Sequence, residues 1–292
     1  MAVPLARLAA LALALGAGAG SAEAAELLPR GVFRWEGEGL SGLSGLWVAP
    51  GGGSLLAVSD RGLMLSARIE RDGDGRIRAV ATDWQAQMLD NSGREVAEFT
   101  ADAEALAVAP DGTAYVGFES YTRITALKPP DMTPTTLHHW ERFRALWGNE
   151  GIEGLALGAD GRLLAVLEGQ SDGVRQTFVQ ENGDWVEGPS LPAHPDWALS
   201  DAAFGPDGWL YLLERRHAWI AGFATRLSRV MLDADGAGPP EVLLKTGFGE
   251  LDNMEGMSLW RDGEGHVFVT LVSDDNFLPV QNTILAEFEL RE

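Results

Sequence analysis

The stretch EGLALGADGRLLAVLE, residues Glu153–Glu168, has the pattern that decides the fold of this chain. Two short apolar runs flank Asp160-Gly161, and an Asp-Gly pair supplies the positive φ angles of a tight hairpin turn. Because the runs are continuously apolar, both faces of each strand are expected to be buried. A carboxylate stands at the start of the phrase and another at its end. The stretch therefore predicts a buried β-hairpin whose two free ends carry acidic side chains.

The phrase occurs five times along the chain. The other four copies are SGLWVAPGGGSLLAVSD (Ser44–Asp60), EALAVAPDGTAYVGFE (Glu104–Glu119), SDAAFGPDGWLYLLER (Ser200–Arg215) and EGMSLWRDGEGHVFVTLVSD (Glu255–Asp274). Successive copies begin 60, 49, 47 and 55 residues apart, and the stretches after Glu255 and from Ala25 to Ser44 supply a fifth interval of 57. Five copies of one sheet-forming unit predict an all-β fold, a five-bladed β-propeller.

The chain ends are expected to close the ring. Strands at Val32–Trp35 and Thr283–Leu290 would complete one blade together. A ring of six blades remains an alternative, with one degenerate repeat inside the long first interval.

Acidic side chains recur at two positions of the phrase. We call the residue before the first strand the leading position and the residue that ends the second strand the closing position. The leading positions are Ser44, Glu104, Glu153, Ser200 with Asp201, and Glu255. The closing positions are Asp60, Glu119, Glu168, Glu214, and Asp274 with Asp275. Since the second strand of a blade returns to the face on which the first began, both sets are expected around one mouth of the central channel.

So many carboxylates cannot all stay ionised at close range without a counter-charge. Oxygen ligands in a chain without cysteine favour Ca²⁺ or Mg²⁺ over zinc or copper, and we take Ca²⁺ as the expected ion. The predicted metal ligands are Glu104, Glu119, Glu168, Asp60 and Asp274. Glu153 and Glu255 are predicted to act as ligands or catalytic bases. A merely solvated acidic rim is the alternative.

Arginines follow several closing positions. Arg61, Arg123 and Arg215 would place forked guanidinium groups beside the carboxylates, where they could bind a phosphate or carboxylate group of a substrate. Ion pairing between neighbours explains them equally well.

Composition limits the possible partners. The 43 acidic residues against 22 Lys and Arg give a net charge of -21, which repels nucleic acid and anionic lipid surfaces. Residues 1–24 have the order of a secretory signal peptide: Arg7, an apolar run, and a small-x-small site ending at Ala24. The run is too short to span a bilayer. We expect cleavage after Ala24 and a mature domain at residues 25–292 in the periplasm or outside the cell.

The phrases together resemble a known family. The chain contains, in order, SGLSGL, VSDRG, DAEALAV, ESYTRI, NEGIEGLAL, LSDAAFGPDGWLYLLERR, NMEGMSLW and VSDDNF. This series is similar to the phytase-like family described by an "esterase-like activity of phytase", over essentially the whole mature chain. The resemblance implies a β-propeller, export and the hydrolysis of an ester, which includes phosphate esters.

Two functions are compatible with these observations. The leading hypothesis is an exported hydrolase of small-molecule esters that uses a divalent cation at the acidic mouth. The alternative is a non-catalytic propeller that binds a small anionic ligand or a protein at the same face.

Overall fold

The computed structural model describes residues 25–37, 40–137, 143, 151–233, 236–278 and 281–292. These residues form 23 strands and one short 3-10 helix, at Glu98–Thr100. Within these ranges, no helix has the length and apolar character needed to cross a membrane. The signal peptide expected at residues 1–24 lies outside the described residues.

Five antiparallel sheets form the ring, and each contains one copy of the repeated phrase as its two inner strands. Blade 1 consists of β2 (Leu43–Val48), β3 (Ser54–Ser59), β4 (Leu63–Arg71) and β5 (Ile77–Gln87). Blade 2 consists of β6 (Ala103–Val108), β7 (Ala114–Phe118), β8 (Arg123–Lys128) and β9 (Thr133–Thr136). Blade 3 consists of β10 (Ile152–Leu157), β11 (Leu163–Ser171), β12 (Val174–Glu181) and β13 (Asp184–Glu187), with β14 (Leu191–Pro192) beside β12. Blade 4 consists of β15 (Ala198–Phe204), β16 (Leu210–Ala218), β17 (Gly222–Val230) and β20 (Glu241–Lys245). The short strands β18 (Leu232–Asp233) and β19 (Gly236–Ala237) form a separate hairpin between β17 and β20.

The two ends of the chain share the fifth blade. Its inner strands are β21 (Asn253–Arg261) and β22 (Val267–Asp274), followed by β23 (Ile284–Arg291) and then by β1 (Glu26–Arg34). β1 pairs antiparallel with β23, from Glu26 opposite Arg291 to Arg34 opposite Ile284. The fold class, the five blades and the closure by the terminal strands are therefore confirmed.

The hairpin turns carry the glycines that the repeated phrase requires. Gly112, Gly161 and Gly208 adopt φ angles of 82°, 81° and 88°, in the left-handed region that a residue with a Cβ rarely enters. These turns lie at the end of the channel opposite the leading and closing positions, so all the predicted mouth residues share one face of the ring.

The core lies in the gaps between neighbouring blades. One apolar cluster, for example, joins Leu46 and Leu65 of blade 1 to Trp260 and Leu285 of blade 5. The innermost strands approach so closely that a side chain is excluded at some positions. A Cβ on Gly154 would lie 2.6 Å from the Ala202 Cβ, and a Cβ on Gly256 would lie 2.9 Å from the Ser44 carbonyl oxygen.

In blade 4, a carboxylate makes the contact between neighbouring inner strands. Asp201 occupies the place that glycine has in blades 1, 3 and 5, and it is only 1% exposed. Its Oδ2 accepts a hydrogen bond from the Met257 backbone N–H at 2.7 Å, and its Oδ1 accepts one from the Ala202 N–H at 2.7 Å. Asp201 was predicted as a mouth residue, and the structure gives it a second role as a link between blades 4 and 5.

The close approach of the inner strands gives the first prediction. Gly154→Ala should lower the free energy of unfolding by about 1–3 kcal/mol, because the added methyl group meets the backbone of blade 4. Gly263→Ala is the matched control: its Cβ would have no atom within 4 Å, and the expected change is within about 0.5 kcal/mol. Urea unfolding of both variants measures the difference, and equal losses would contradict the packing argument.

Candidate functional site

A β-bulge recurs at the same place in all five inner strands. In each blade the register between the first two strands skips one residue of the inner strand. The skipped residues are Ser44, Glu104, Glu153, Ser200 and Glu255. They are the five leading positions of the sequence repeat. A bulge changes the direction in which its side chain points. In every blade this change occurs at the leading position, beside the mouth of the channel.

Carboxylates of blades 2 and 3 lie within ligand distance of one another. Asp102, Glu104 and Glu119 form one group, and Glu119, Glu153 and Glu168 form a second. Within each group the candidate ligand oxygens all lie within 4.8 Å of one another. Glu119 belongs to both groups, so the leading and closing positions of two neighbouring blades share one acidic centre.

The electrostatics of this centre oppose ionisation. Burial, together with the charges of Asp102 and Glu168, raises the pKa of Glu119 to about 7, against the opposing effect of Arg215. Burial, together with the charge of Glu153, holds the pKa of Glu104 well above its usual range. The pKa of Glu153 is raised in the same way, by burial and by the charge of Glu168. A bound cation would remove this repulsion, and protons do so in its absence.

A third set of acids lies between blades 1 and 5. Burial and the charge of Asp274 raise the pKa of Asp60 to about 7. Burial also raises the pKa of Asp274. The next residue, Asp275, accepts a hydrogen bond from the Ser41 hydroxyl at 2.9 Å. The structure thus brings Asp60 and Asp274 near each other but does not place them in either ligand group of blades 2 and 3.

The closing position of blade 4 differs from the prediction by one residue. Leu199 pairs with Glu214 and Ala198 with Arg215, so Arg215 is the residue equivalent to Asp60, Glu119, Glu168 and Asp274. Placing Glu214 there was wrong, because successive residues of a strand point to opposite faces. Glu214 is instead buried, and its two oxygens each lie 3.3 Å from a guanidinium nitrogen, of Arg175 and Arg226.

Arg215 therefore contributes a cation to an otherwise acidic mouth. It forms an ion pair with Glu255 and donates a hydrogen bond to Asn253 Oδ1 at 3.1 Å. Asn253 Nδ2 in turn donates to Glu255 Oε1 at 2.7 Å. Glu255 is thus held in a pair with Arg215, whereas Glu153 lies mainly among carboxylates, and Arg215 opposes their effect on its pKa.

The other two predicted anion contacts lie at the rim. Arg61 is exposed, and its guanidinium carbon lies 3.5 Å from the centroid of the Phe277 ring. Arg123 donates to the Thr100 carbonyl at 2.6 Å and to the Ser120 carbonyl at 3.1 Å, and burial lowers its pKa to about 10. Arg123 therefore secures the loop before β6 as well as standing near the mouth.

The two ends of the channel differ in chemistry. At the mouth, the Ser200 hydroxyl is buried without a hydrogen-bond partner among the described residues. At the opposite end lies a bowl of about 1420 Å³, and inner-strand residues such as Leu46, Leu106, Leu155 and Met257 contribute to its lining. The buried oxygens of Ser200 and Asp60 that lack a partner among the described residues thus lie at the face that carries the leading positions.

Sequence reasoning missed Asp102 and Asn253 as members of the mouth. Each precedes a leading position by two residues, Glu104 in one case and Glu255 in the other. Side chains two residues apart in a strand point to the same face. The residues two positions before Glu104 and Glu255 are therefore also candidates for the mouth.

Solved structures with a similar arrangement have different activities. An α-L-arabinofuranosidase from Podospora anserina matches with a TM-score of 0.53 at 11% identity, over 91% of this chain and 97% of that chain. The PQQ-bound aldose sugar dehydrogenase from Streptomyces coelicolor matches with a TM-score of 0.48 at 15% identity, over 89% of this chain and 98% of that one. The arabinofuranosidase match, at 11% identity, shows a common fold and does not transfer an activity. A search of curated protein sequences finds no significant match.

A family model also matches this chain. The model described as "Phytase-like: Esterase-like activity of phytase" matches residues 38–277, which contain all five inner strands and both carboxylate groups. The repeated phrase, the five blades and this match agree, and the chain belongs to the phytase-like family.

Proposed function

We propose that this protein is an exported hydrolase of small-molecule esters, phosphate monoesters among them, which binds a divalent cation at its acidic mouth. The observation that carries the proposal is the position of Glu119 in two overlapping carboxylate groups, each with its ligand oxygens within 4.8 Å of one another. The family description, which names an esterase-like activity, supports the same chemistry.

The donor set fits a hard cation. Five carboxylates of blades 2 and 3 offer only oxygen, and the chain has no cysteine. Ca²⁺ takes about six to eight oxygen ligands in flexible geometry, whereas zinc and copper prefer nitrogen and sulfur. The buried Ser200 hydroxyl supplies a further oxygen at a leading position. Asp102, Glu104, Glu119 and Glu168 are the residues that would hold Ca²⁺, and Glu153 lies beside them in the second group.

Hydrolysis adds water across the ester bond. A bound divalent cation would polarise the carbonyl or phosphoryl oxygen and acidify a water molecule. The water oxygen forms a bond to the acyl carbon or the phosphorus, the bond to the alcohol oxygen breaks, and the alcohol leaves with a proton. Glu153 is buried among carboxylates and has a raised pKa, which suits a group that accepts the proton of water and returns it to the leaving alkoxide.

The remaining mouth residues orient the substrate in this proposal. Arg215 contacts the anionic part of the substrate, and Glu255, through its ion pair, positions Arg215. Arg61 and Arg123 attract anions to the rim. Asp60 and Asp274 provide a weaker cation position between blades 1 and 5.

The shared ligand Glu119 gives a prediction on metal binding. Glu119→Gln should weaken Ca²⁺ binding about tenfold or more, because it removes one oxygen ligand and one charge from both groups. Glu187→Gln is the matched control, since Glu187 is an exposed carboxylate on the outer strand of blade 3. Calorimetric titration with Ca²⁺ measures both; equal affinities in the two variants would place the ion elsewhere.

A prediction on activity concerns Glu153. Glu153→Gln should lower kcat for p-nitrophenyl phosphate or p-nitrophenyl acetate by about 10²–10⁴-fold in the presence of Ca²⁺, because the proton acceptor is lost. Glu187→Gln should retain the wild-type rate. Unchanged turnover in Glu153→Gln would remove this residue from the mechanism. A folded wild-type protein that binds Ca²⁺ but hydrolyses neither ester would instead support the binding propeller.

The raised pKa values predict a pH dependence of stability. The pKa of Asp60 and of Glu119 is about 7 in the folded chain, above the ordinary value for each residue type, so the folded state binds more protons between about pH 4 and 7. Stability of the EDTA-treated protein should therefore fall as the pH rises through this window. Ca²⁺ should raise Tm more at about pH 8 than at about pH 5, because it binds the ionised carboxylates.

Thermal unfolding with EDTA or with Ca²⁺ tests the pH prediction. Glu119→Gln should have a shallower decline of Tm than Glu187→Gln, although both variants lose the same charge. A Tm that increases with pH across the window, or a Ca²⁺ effect that is the same at both pH values, would refute the electrostatic account.

A further inference from the structure

A cleft of about 370 Å³ opens between blades 3 and 4 beside the acidic mouth. Glu168, Trp197, Arg215, Arg216 and His217 contribute to its lining. Glu168 belongs to the second carboxylate group, so the cleft is continuous with the proposed cation site. Its volume suits a small group of a substrate.

The cleft lining carries charges of both signs, since Glu168 and Asp196 lie there with Arg215 and Arg216. Glu214 is the buried carboxylate at this position, and Arg175 and Arg226 both already pair with it. Arg216 follows Glu214 by two residues and therefore points to the same side of β16. Three guanidinium groups thus accompany one buried carboxylate, in a chain whose net charge is -21.

Arg216 has no anionic partner in the described part of the chain. Its side chain makes no ion pair or hydrogen bond there, and its Nε is buried without a partner. The guanidinium is nevertheless held in place, since its carbon lies 4.7 Å from the centroid of the Phe248 ring and 5.4 Å from that of Trp197. Arg216 is half-buried and contributes to the cleft lining, so its guanidinium can contact a group in the cleft.

A second cation lies near the ring that Arg216 approaches. Lys245 of β20 stands opposite Arg226 of β17 in the sheet register, and Arg226 itself pairs with Glu214. The Lys245 ammonium lies 5.9 Å from the Trp197 ring, the same ring that Arg216 approaches. Trp197, which contributes to the cleft lining, is thus approached by two cations.

We propose that this cleft is an oxyanion subsite, with Arg216 as its principal contact. It takes a phosphate or carboxylate group of the substrate while the scissile ester lies at the carboxylate groups of blades 2 and 3. The position of the scissile ester rests on the proposed function. The substrate class is then a small ester that carries a separate negative charge, and Arg216 determines that specificity.

Anion binding tests the subsite without hydrolysis. We expect saturable calorimetric binding of inorganic phosphate or acetate to the EDTA-treated full chain, and the two probes distinguish a phosphate from a carboxylate preference. Arg216→Gln should weaken this binding about tenfold or more, and Arg216→Lys should retain part of it, since lysine keeps the charge but not the fork. Arg78→Gln is the control, because Arg78 is an exposed arginine paired with Glu70 on blade 1 and loses the same charge.

Kinetics test the link to the reaction. Arg216→Gln should raise KM for an anionic ester, the 4-nitrophenyl monoester of succinic acid, about tenfold or more and leave kcat/KM for neutral p-nitrophenyl acetate unchanged. A wild-type chain that binds neither anion, or an Arg216→Gln variant that binds as the wild type does, overturns the subsite even if esters are hydrolysed. Anion binding that depends on Arg216 in a chain without hydrolysis upholds the subsite and rejects the proposed reaction. A melting temperature of Arg216→Lys close to that of the wild type ensures that the comparison concerns binding.

Discussion

The close packing of five inner strands around one channel is the constraint on which the rest of the structure depends. Glycine in three blades lets neighbouring backbones come within contact distance, and in a fourth the Asp201 carboxylate accepts a hydrogen bond from the Met257 N–H of the next blade. The bulge immediately before these residues diverts one side chain per blade away from that contact. The same local distortion therefore serves packing and places the polar residues of the mouth.

The cost of this arrangement is electrostatic. Buried carboxylates with raised pKa values weaken a fold unless protons or cations balance them. Blade 4 relieves part of the repulsion with Arg215, which pairs with Glu255, and blades 2 and 3 have no equivalent cation at their closing positions. The acidic centre is therefore concentrated at Glu119 and its neighbours, and the cleft that contains Arg216 borders it at Glu168, between blades 3 and 4.

The sequence alone predicted the fold closely and the site only in part. Turn chemistry and a fivefold repeat are local signals, and they determined the blades and their order. The outer strands were less marked, yet the terminal pair was found because the ring needs a partner for the last blade. The error at Glu214 arose because Glu214 and Arg215 are adjacent and a shift of one residue reverses the face. Partners such as Arg175 for Glu214 come from another blade, and no pattern within one repeat specifies such contacts.

The pairing of β1 with β23 joins residues from the two ends of the described chain. During synthesis, β1 emerges first and has no partner until the final strand has left the ribosome. Contacts of such long sequence separation form slowly, because a large loop must close before they stabilise anything. Until β1 has paired with it, β23 would present an open edge to other chains, a known route to aggregation. The ring is thus a structure that only the whole chain can complete, and a chain shortened at its C-terminus would lose the closure as well as one strand.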